Sequence, residues 1–225
     1  MKRITVLLAE DHGVVREGFR SLLKHEPDIE VVGEAATGRE AVQLTRKLRP
    51  SVVVMDIAMP LLNGLEATRQ IRKDCPDTRV LILSAHSDDA YVERVIELGA
   101  AGFLLKQTSS HVLATAIREV QKGQTFFSPA IAKRLSGRNQ KSLDRGGTFK
   151  KKNNRLSSRE AEVLQLIAEG KPNKQVAAEL GVSFKTIDKH RQHLMSKLDI
   201  HDIAGLTRYA IAQGIIESSV QVTIT

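Results

Sequence analysis

Apolar and polar positions alternate with two different periods along this chain, and the period changes part-way. In the first 123 residues, short β-branched or apolar runs recur at Ile4–Ala9, Ile29–Glu34, Val52–Asp56, Val80–Ser84 and Gly102–Leu105. Runs of this length, apolar almost throughout, predict strands buried on both faces. Helical stripes lie between them: Val14, Val15, Phe19, Leu22 and Leu23; Ala41, Val42, Leu44 and Leu48; Leu65, Thr68 and Ile71; Val92, Val95 and Ile96; and Leu113, Ile117 and Val120. Five strand–helix units in succession predict an α/β, doubly wound, five-stranded parallel sheet with helices on both faces.

Residues 124–155 break this rhythm. Ser128-Pro129 followed by Ala130 to Leu135 predicts a short helix with Ser as cap and Pro at the first helical position. Residues 137–155 hold seven basic residues, one acid and almost no apolar side chain, the composition of a flexible linker. From 156 to 216 the pattern is helical only. Ser157 or Ser158 caps one helix, with Glu160 in its first turn, and Gly170 ends it. Pro172 opens a second, which Gly181 ends. Ser183 caps a third, from about Phe184 to Leu198, and Asp202 begins a fourth that carries Ile203, Leu206 and Ala210. Two short helices joined through a Gly turn and followed by a longer basic one have helix-turn-helix spacing. Residues 217–225 form a tail.

Charge divides the chain in the same place. Residues 1–123 contain 17 Lys+Arg and 17 Asp+Glu, whereas residues 124–225 contain 17 and 9 and so carry the whole net charge of +8. A neutral domain joined to a basic one predicts that the second meets a polyanion, nucleic acid first and an anionic membrane surface second. No apolar run approaches the roughly 20 residues of a membrane span, which predicts a protein without a membrane segment. The apolar start is cut short by Glu10-Asp11 and reads as a strand rather than a signal peptide. A single cysteine, Cys75, precludes an intrachain disulfide and is consistent with a reducing cytoplasm.

The candidate chemistry lies at the strand ends. Asp56 ends the third apolar run, and Glu10 and Asp11 follow the first. In this winding strands one and three are neighbours at the switch point, where ligands bind. Carboxylates gathered there repel one another unless a cation joins them, and hard oxygen ligands with open positions suit Mg²⁺. Ser84 ends the fourth strand and Lys106 follows the fifth. A hydroxyl, an ammonium and a divalent cation around Asp56 would stabilise a transferring phosphoryl group.

With these residues in view, positions 1–123 resemble the receiver domain of two-component response regulators, a flavodoxin-like fold. Glu10-Asp11, Asp56, Met59-Pro60, Ser84 and Lys106 match the family's motif positions. The resemblance implies that Asp56 accepts a phosphoryl group from the phosphohistidine of a sensor histidine kinase. It implies Mg²⁺ held by Glu10, Asp11, Asp56 and a backbone carbonyl, that of Ala58. Lys106 would pair with the phosphoryl oxygens, Ser84 would be drawn to them, and Phe103 matches the aromatic that reports the movement of Ser84. His86 occupies a position that can influence dephosphorylation in the family, although a solvent-exposed loop histidine is the better account of it.

Residues 156–216 resemble the DNA-binding domain of the NarL/FixJ (LuxR-type) regulators. Leu156-Ser157-Ser158-Arg159-Glu160-Ala161-Glu162-Val163-Leu164, Glu169-Gly170-Lys171-Pro172-Asn173-Lys174 and Gly181-Val182-Ser183-Phe184-Lys185-Thr186-Ile187 carry that resemblance. On the third helix Ile187, His190, Leu194 and Leu198 form an inward stripe. Lys185, Lys189, Gln192 and Ser196 form an outward one, flanked by Thr186, His193 and Lys197. Such a face fits the DNA major groove. Lys189, Gln192 and Asp188 are the candidate base readers. Lys185, Thr186 and Lys174 are candidate phosphate contacts, and His193 and Lys197 complete the DNA face. Ile203, Leu206 and Ala210 resemble the family's dimer helix, although a small domain can equally bury that stripe internally. The implied protein is a phosphorylation-switched, homodimerising transcription regulator and not an enzyme. A phosphoaspartyl-type phosphatase is the enzymatic alternative, but such enzymes carry a second acid two residues after the nucleophile, where this chain has Ala58. A regulator that acts through protein partners rather than DNA is the other.

Overall fold

The computed structural model describes residues 3–85, 89–127 and 156–216. The chain forms two compact units, Met1–Lys151 and Lys152–Thr225. The short helix near 129–135, the basic linker, the tail and His86 lie outside the described residues.

The first unit contains β1 Ile4–Ala9, α1 Gly13–Lys24, β2 Ile29–Ala35, α2 Gly38–Leu48, β3 Val52–Asp56, α3 Gly64–Asp74, β4 Arg79–Ser84, α4 Asp89–Glu97, β5 Gly102–Leu105, α5 Ser110–Gln121 and β6 Phe126–Phe127. The strands form one sheet in the order β2-β1-β3-β4-β5-β6, with every pairing parallel. The expected five strands are thus six. β6 pairs Phe126 with Gly102 and Phe127 with Phe103. Two residues have no readable period, so the sheet runs past residue 123 without a sequence signal.

The pleat sorts the strand residues onto two faces. Leu7, Val53, Met55, Ile82 and Phe103 pack with Ala41 and Val42 of α2, Leu65 and Ile71 of α3, and Val92 and Val95 of α4. Val6, Leu8, Val52, Val54, Leu81, Leu83 and Leu104 pack with Leu23 of α1 and with Leu113, Ile117 and Val120 of α5. The α1 stripe is narrower than its apolar residues suggest, because Val14 and Leu22 are exposed and Leu23 alone is fully buried. Cys75 caps the end of α3 and is buried in the core.

Beneath the sheet's carboxyl edge, α3 begins hard against β3. Asn63 caps α3 by accepting a hydrogen bond from the backbone N–H of Glu66 at 2.9 Å, and the N–H of Gly64 donates to the carbonyl of Ile57 at 2.8 Å. A Cβ on Gly64 would lie 1.8 Å from the carbonyl oxygen of Asp56, so only glycine permits this approach. Leu61, at φ 67°, turns the intervening loop in the left-handed region.

The second unit contains α6 Ser158–Ala168, α7 Asn173–Leu180, α8 Phe184–Leu198 and α9 Ile203–Ala212. Its core gathers Val163, Leu164, Leu166, Val176, Ile187, Leu194, Leu206 and Ala210. Ser157 and Glu160 form a complete capping box at the start of α6. Gly181 ends α7 at φ 62°, and Ser183 caps α8 by accepting from the N–H of Thr186. The expected dimer stripe on α9 does not form a single surface. Leu206 and Ala210 are fully buried within the unit, whose small core uses them, while Ile203 stays exposed.

Candidate functional site

Register builds the first site. Ala9 pairs with Met55, so Glu10 stands beside Asp56 one residue on. Asp56 pairs with Leu83, which puts Ser84 one residue beyond it; Ser84 in turn pairs with Leu105, which puts Lys106 one residue further. Each neighbouring strand therefore delivers its polar residue at the carboxyl edge, although Glu10 and Lys106 are 96 residues apart in sequence. Glu10, Asp56 and Ser84 are all buried.

One ammonium serves two carboxylates. Lys106 Nζ lies 3.0 Å from Asp56 Oδ2 and 2.8 Å from Glu10 Oε2. The Lys106 backbone N–H donates to the carbonyl of Ser84 at 2.9 Å, which fixes the lysine's root. Lys106 Nζ donates a hydrogen bond to Glu10 Oε1 at 3.0 Å, whereas its contacts with Glu10 Oε2 and Asp56 Oδ2 are ion pairs. Burial, and then repulsion from Glu10, push the Asp56 carboxyl up to about 7, although Lys106 opposes both. Burial works against the Lys106 charge, but Asp56 and Glu10 outweigh it and raise its pKa.

The arrangement has the donor chemistry of a divalent-cation site. Its ligand atoms are hard oxygens, they are buried, and the single ammonium leaves negative charge over. Glu10, Asp11 and His12 bring ligand atoms within 4.8 Å of one another. His12 escaped the sequence reading because Glu10-Asp11 already accounted for that turn; its only signal was adjacency. Its Nδ1 lies 2.8 Å from Asp11 and 3.2 Å from Glu10, and Asp11 chiefly raises its pKa. Ala58 stands in the loop after β3, next to Ile57, whose carbonyl accepts from Met59 and Gly64. Phe103 is wholly enclosed in the core on the α3–α4 face.

The second unit separates the residues expected on its basic face. Lys185, Lys189, Gln192 and Ser196 are exposed along α8, and Lys174 is exposed in the first turn of α7. Ile187 and Leu194 are buried, while His190 and Leu198 are half-buried. Gln192 Nε2 donates to Asp188 Oδ2 at 3.3 Å, so these two candidate readers are linked. Thr186 shares a hydroxyl hydrogen bond with the capping Ser183. Lys197 and His193, to one side of that exposed stripe, both reach Glu160. Lys197 Nζ donates to Glu160 Oε2 at 2.7 Å, and His193 Nδ1 lies 3.2 Å from Glu160 Oε1. Burial works against the Glu160 charge, but Lys197 and the Ser157 backbone outweigh it and hold the carboxyl down to about 2. Both side chains are therefore already engaged within the unit.

Comparison with known proteins fits both units. Residues 6–118 match the response regulator receiver domain, and residues 154–210 match the bacterial regulatory proteins of the luxR family. The transcriptional regulatory protein LiaR of Bacillus subtilis is 40% identical over 207 residues, covering 92% of this chain and 96% of its own. The chain belongs to the LuxR family of two-component response regulators. Among solved structures, RcsB of Salmonella typhimurium is 29% identical, with a TM-score of 0.55 over 94% of this chain and 100% of its own. A structure of the RcsB–DNA complex gives 27% identity and a TM-score of 0.57 over 94% of this chain and 99% of its own. This response regulator thus carries a receiver with a parallel sheet and a helical LuxR-type DNA-binding domain. Among the described residues no helix is long and apolar enough to cross a membrane.

Proposed function

We propose that Asp56 is the phosphoacceptor and that its phosphorylation by a sensor histidine kinase switches dimerisation and sequence-specific binding of double-stranded DNA. The observation that carries this reading is the pairing of a buried Asp56 with Lys106 beside Glu10 at the carboxyl edge of the sheet. An Asp56 oxygen attacks phosphorus, the N–P bond of the donor phosphohistidine breaks, and its electron pair leaves with the imidazole. Lys106 sits where it can move from carboxylate to phosphoryl oxygens, and Ser84 supplies a hydroxyl at the next strand end. Glu10, Asp11, Asp56 and the carbonyl of Ala58 would hold Mg²⁺, which supplies neutralising charge and an anchor for phosphoryl oxygens. Asp56 must be ionised to attack, and a neighbouring cation favours that form.

The phosphorylated receiver shifts toward a dimerising form, as bistable switches do. Lys189, Gln192 and Asp188 then read base edges in the major groove. Lys185, Thr186 and Lys174 hold phosphates, and the exposed Ile203 lies on the candidate dimer helix. The protein works in the cytoplasm, where its kinase and DNA partners meet it.

The test is DNA capture by the full chain with and without acetyl phosphate and Mg²⁺. The parent gains affinity and sediments as a dimer with both present. Asp56→Asn gains neither. A variant that responded as the parent does would remove Asp56 from the acceptor role.

A further inference from the structure

The second unit leaves one large aromatic side chain in solvent at a conspicuous place. Phe184 is 57% exposed, while the same helix buries Ile187 and Leu194 completely. It is the first residue of α8, directly after the Ser183 cap. Asp188 follows it by four residues and so stands one turn along on the same side of the helix. Exposed Lys185 follows it directly. A phenyl ring held in water forgoes its burial energy, and nothing in the local turn requires it, since Ser183 alone caps the helix.

Reading helices of helix-turn-helix units present their N-terminal residues to base edges. In the major groove only thymine offers an apolar group, its C5-methyl, and Phe is a side chain that contacts it. We infer that Phe184 is a specificity-determining residue that covers a thymine methyl in each half-site, beside the polar readers Asp188, Lys189 and Gln192. The inference rests on the DNA-binding reading above. The surrounding lysines favour nucleic acid over the receiver domain as the occupant of this face.

The test uses the full chain with acetyl phosphate and Mg²⁺. A duplex is first selected from a random library by the parent. Its thymines are then replaced one at a time by deoxyuridine, which removes only the methyl. One thymine per half-site should weaken parent binding about fourfold, roughly the worth of one buried methyl group. Phe184→Ala should lose that contrast while keeping its helical circular dichroism, and Phe184→Leu should retain part of it. Indifference of the parent to every deoxyuridine overturns the inference and leaves DNA binding intact. So does an undiminished contrast in Phe184→Ala. If Phe184→Ala instead raises the affinity of the unphosphorylated chain and keeps the contrast, the ring belongs against the receiver and the inference fails. If the parent selects no duplex, the inference and the DNA-binding reading fall together.

Discussion

Two buried carboxylates in this molecule meet opposite treatment. Asp56 shares a single lysine with Glu10 and has Asp11 close by, and its carboxyl is pushed up to about 7. Glu160 pairs with Lys197 and accepts the Ser157 N–H at 2.8 Å, with His193 Nδ1 3.2 Å away, and is held down to about 2. Both lie in helical or strand-end settings and both are more than nine-tenths buried. What differs is the balance: at Asp56 burial and repulsion from Glu10 prevail over Lys106, whereas at Glu160 Lys197 and the Ser157 N–H prevail over burial. The first cluster is short of positive charge, a condition under which hard carboxylate oxygens favour a divalent cation. The second is already neutralised, and its work is to tie α6 to α8.

Removing the shared cation should have the largest effect. Lys106→Met leaves Glu10 and Asp56 unneutralised, and the receiver should lose about 2–4 kcal/mol in chelator at pH 8. Urea unfolding measures it. Added Mg²⁺ should return much of the loss, and the loss should shrink at pH 5, where Asp56 holds its proton.

Removing the repelled acid should act the other way and more weakly. Since burial and Glu10 raise the Asp56 pKa above its unfolded value, the folded receiver binds more protons than the unfolded chain between about pH 4 and 7. Its stability in chelator therefore falls as pH rises through that window and levels off above it. Asp56→Asn should be more stable than the parent by about 1–2 kcal/mol at pH 8 and equal to it near pH 4. A parent curve that rose with pH would break the comparison.

Glu160 has the inverse dependence. Its folded pKa is lowered, so its contribution is present at neutral pH and is lost only as pH falls from the ordinary carboxylate range toward about 2. Segmental hydrogen exchange should show the receiver losing protection as pH rises from 5 to 8, a loss that Asp56→Asn removes. Glu160→Gln keeps the capping box, which glutamine also completes, and removes the charge that holds Lys197 and His193. The stability loss should be about 1 kcal/mol. Loss of the Glu160 charge beside Lys197 should steepen the salt dependence of non-specific DNA binding by about one ion. An unchanged salt slope would mean that Lys197 does not reach phosphate in the variant.

The strands were legible because Val52 to Met55 and their counterparts are apolar runs that stop at turn residues. The acid cluster was legible because Glu10, Asp56, Ser84 and Lys106 each follow such a run, so topology alone brings them to one edge. The rest needed distances. Lys197 and His193 look like two more groove cations until Glu160, 37 residues before Lys197, is found against them. Leu206 and Ala210 sit on a stripe with Ile203, and periodicity does not say which part of a stripe a small core will claim. Val14 and Leu22 extend the α1 stripe beyond the width that the sheet covers. Phe126–Phe127 is too short to carry a period.

The central claim is that the under-compensated cluster, not any other site, takes the phosphoryl group. The direct measurement is mass spectrometry of the intact chain after incubation with acetyl phosphate and Mg²⁺, followed by borohydride trapping and peptide mapping. The account predicts one phosphoryl group per intact chain and, after trapping, reduction to the alcohol at position 56 alone, with neither in Asp56→Asn or without Mg²⁺. A phosphoryl group mapped to another residue of the parent, or persisting in Asp56→Asn at the parent's level, would contradict it.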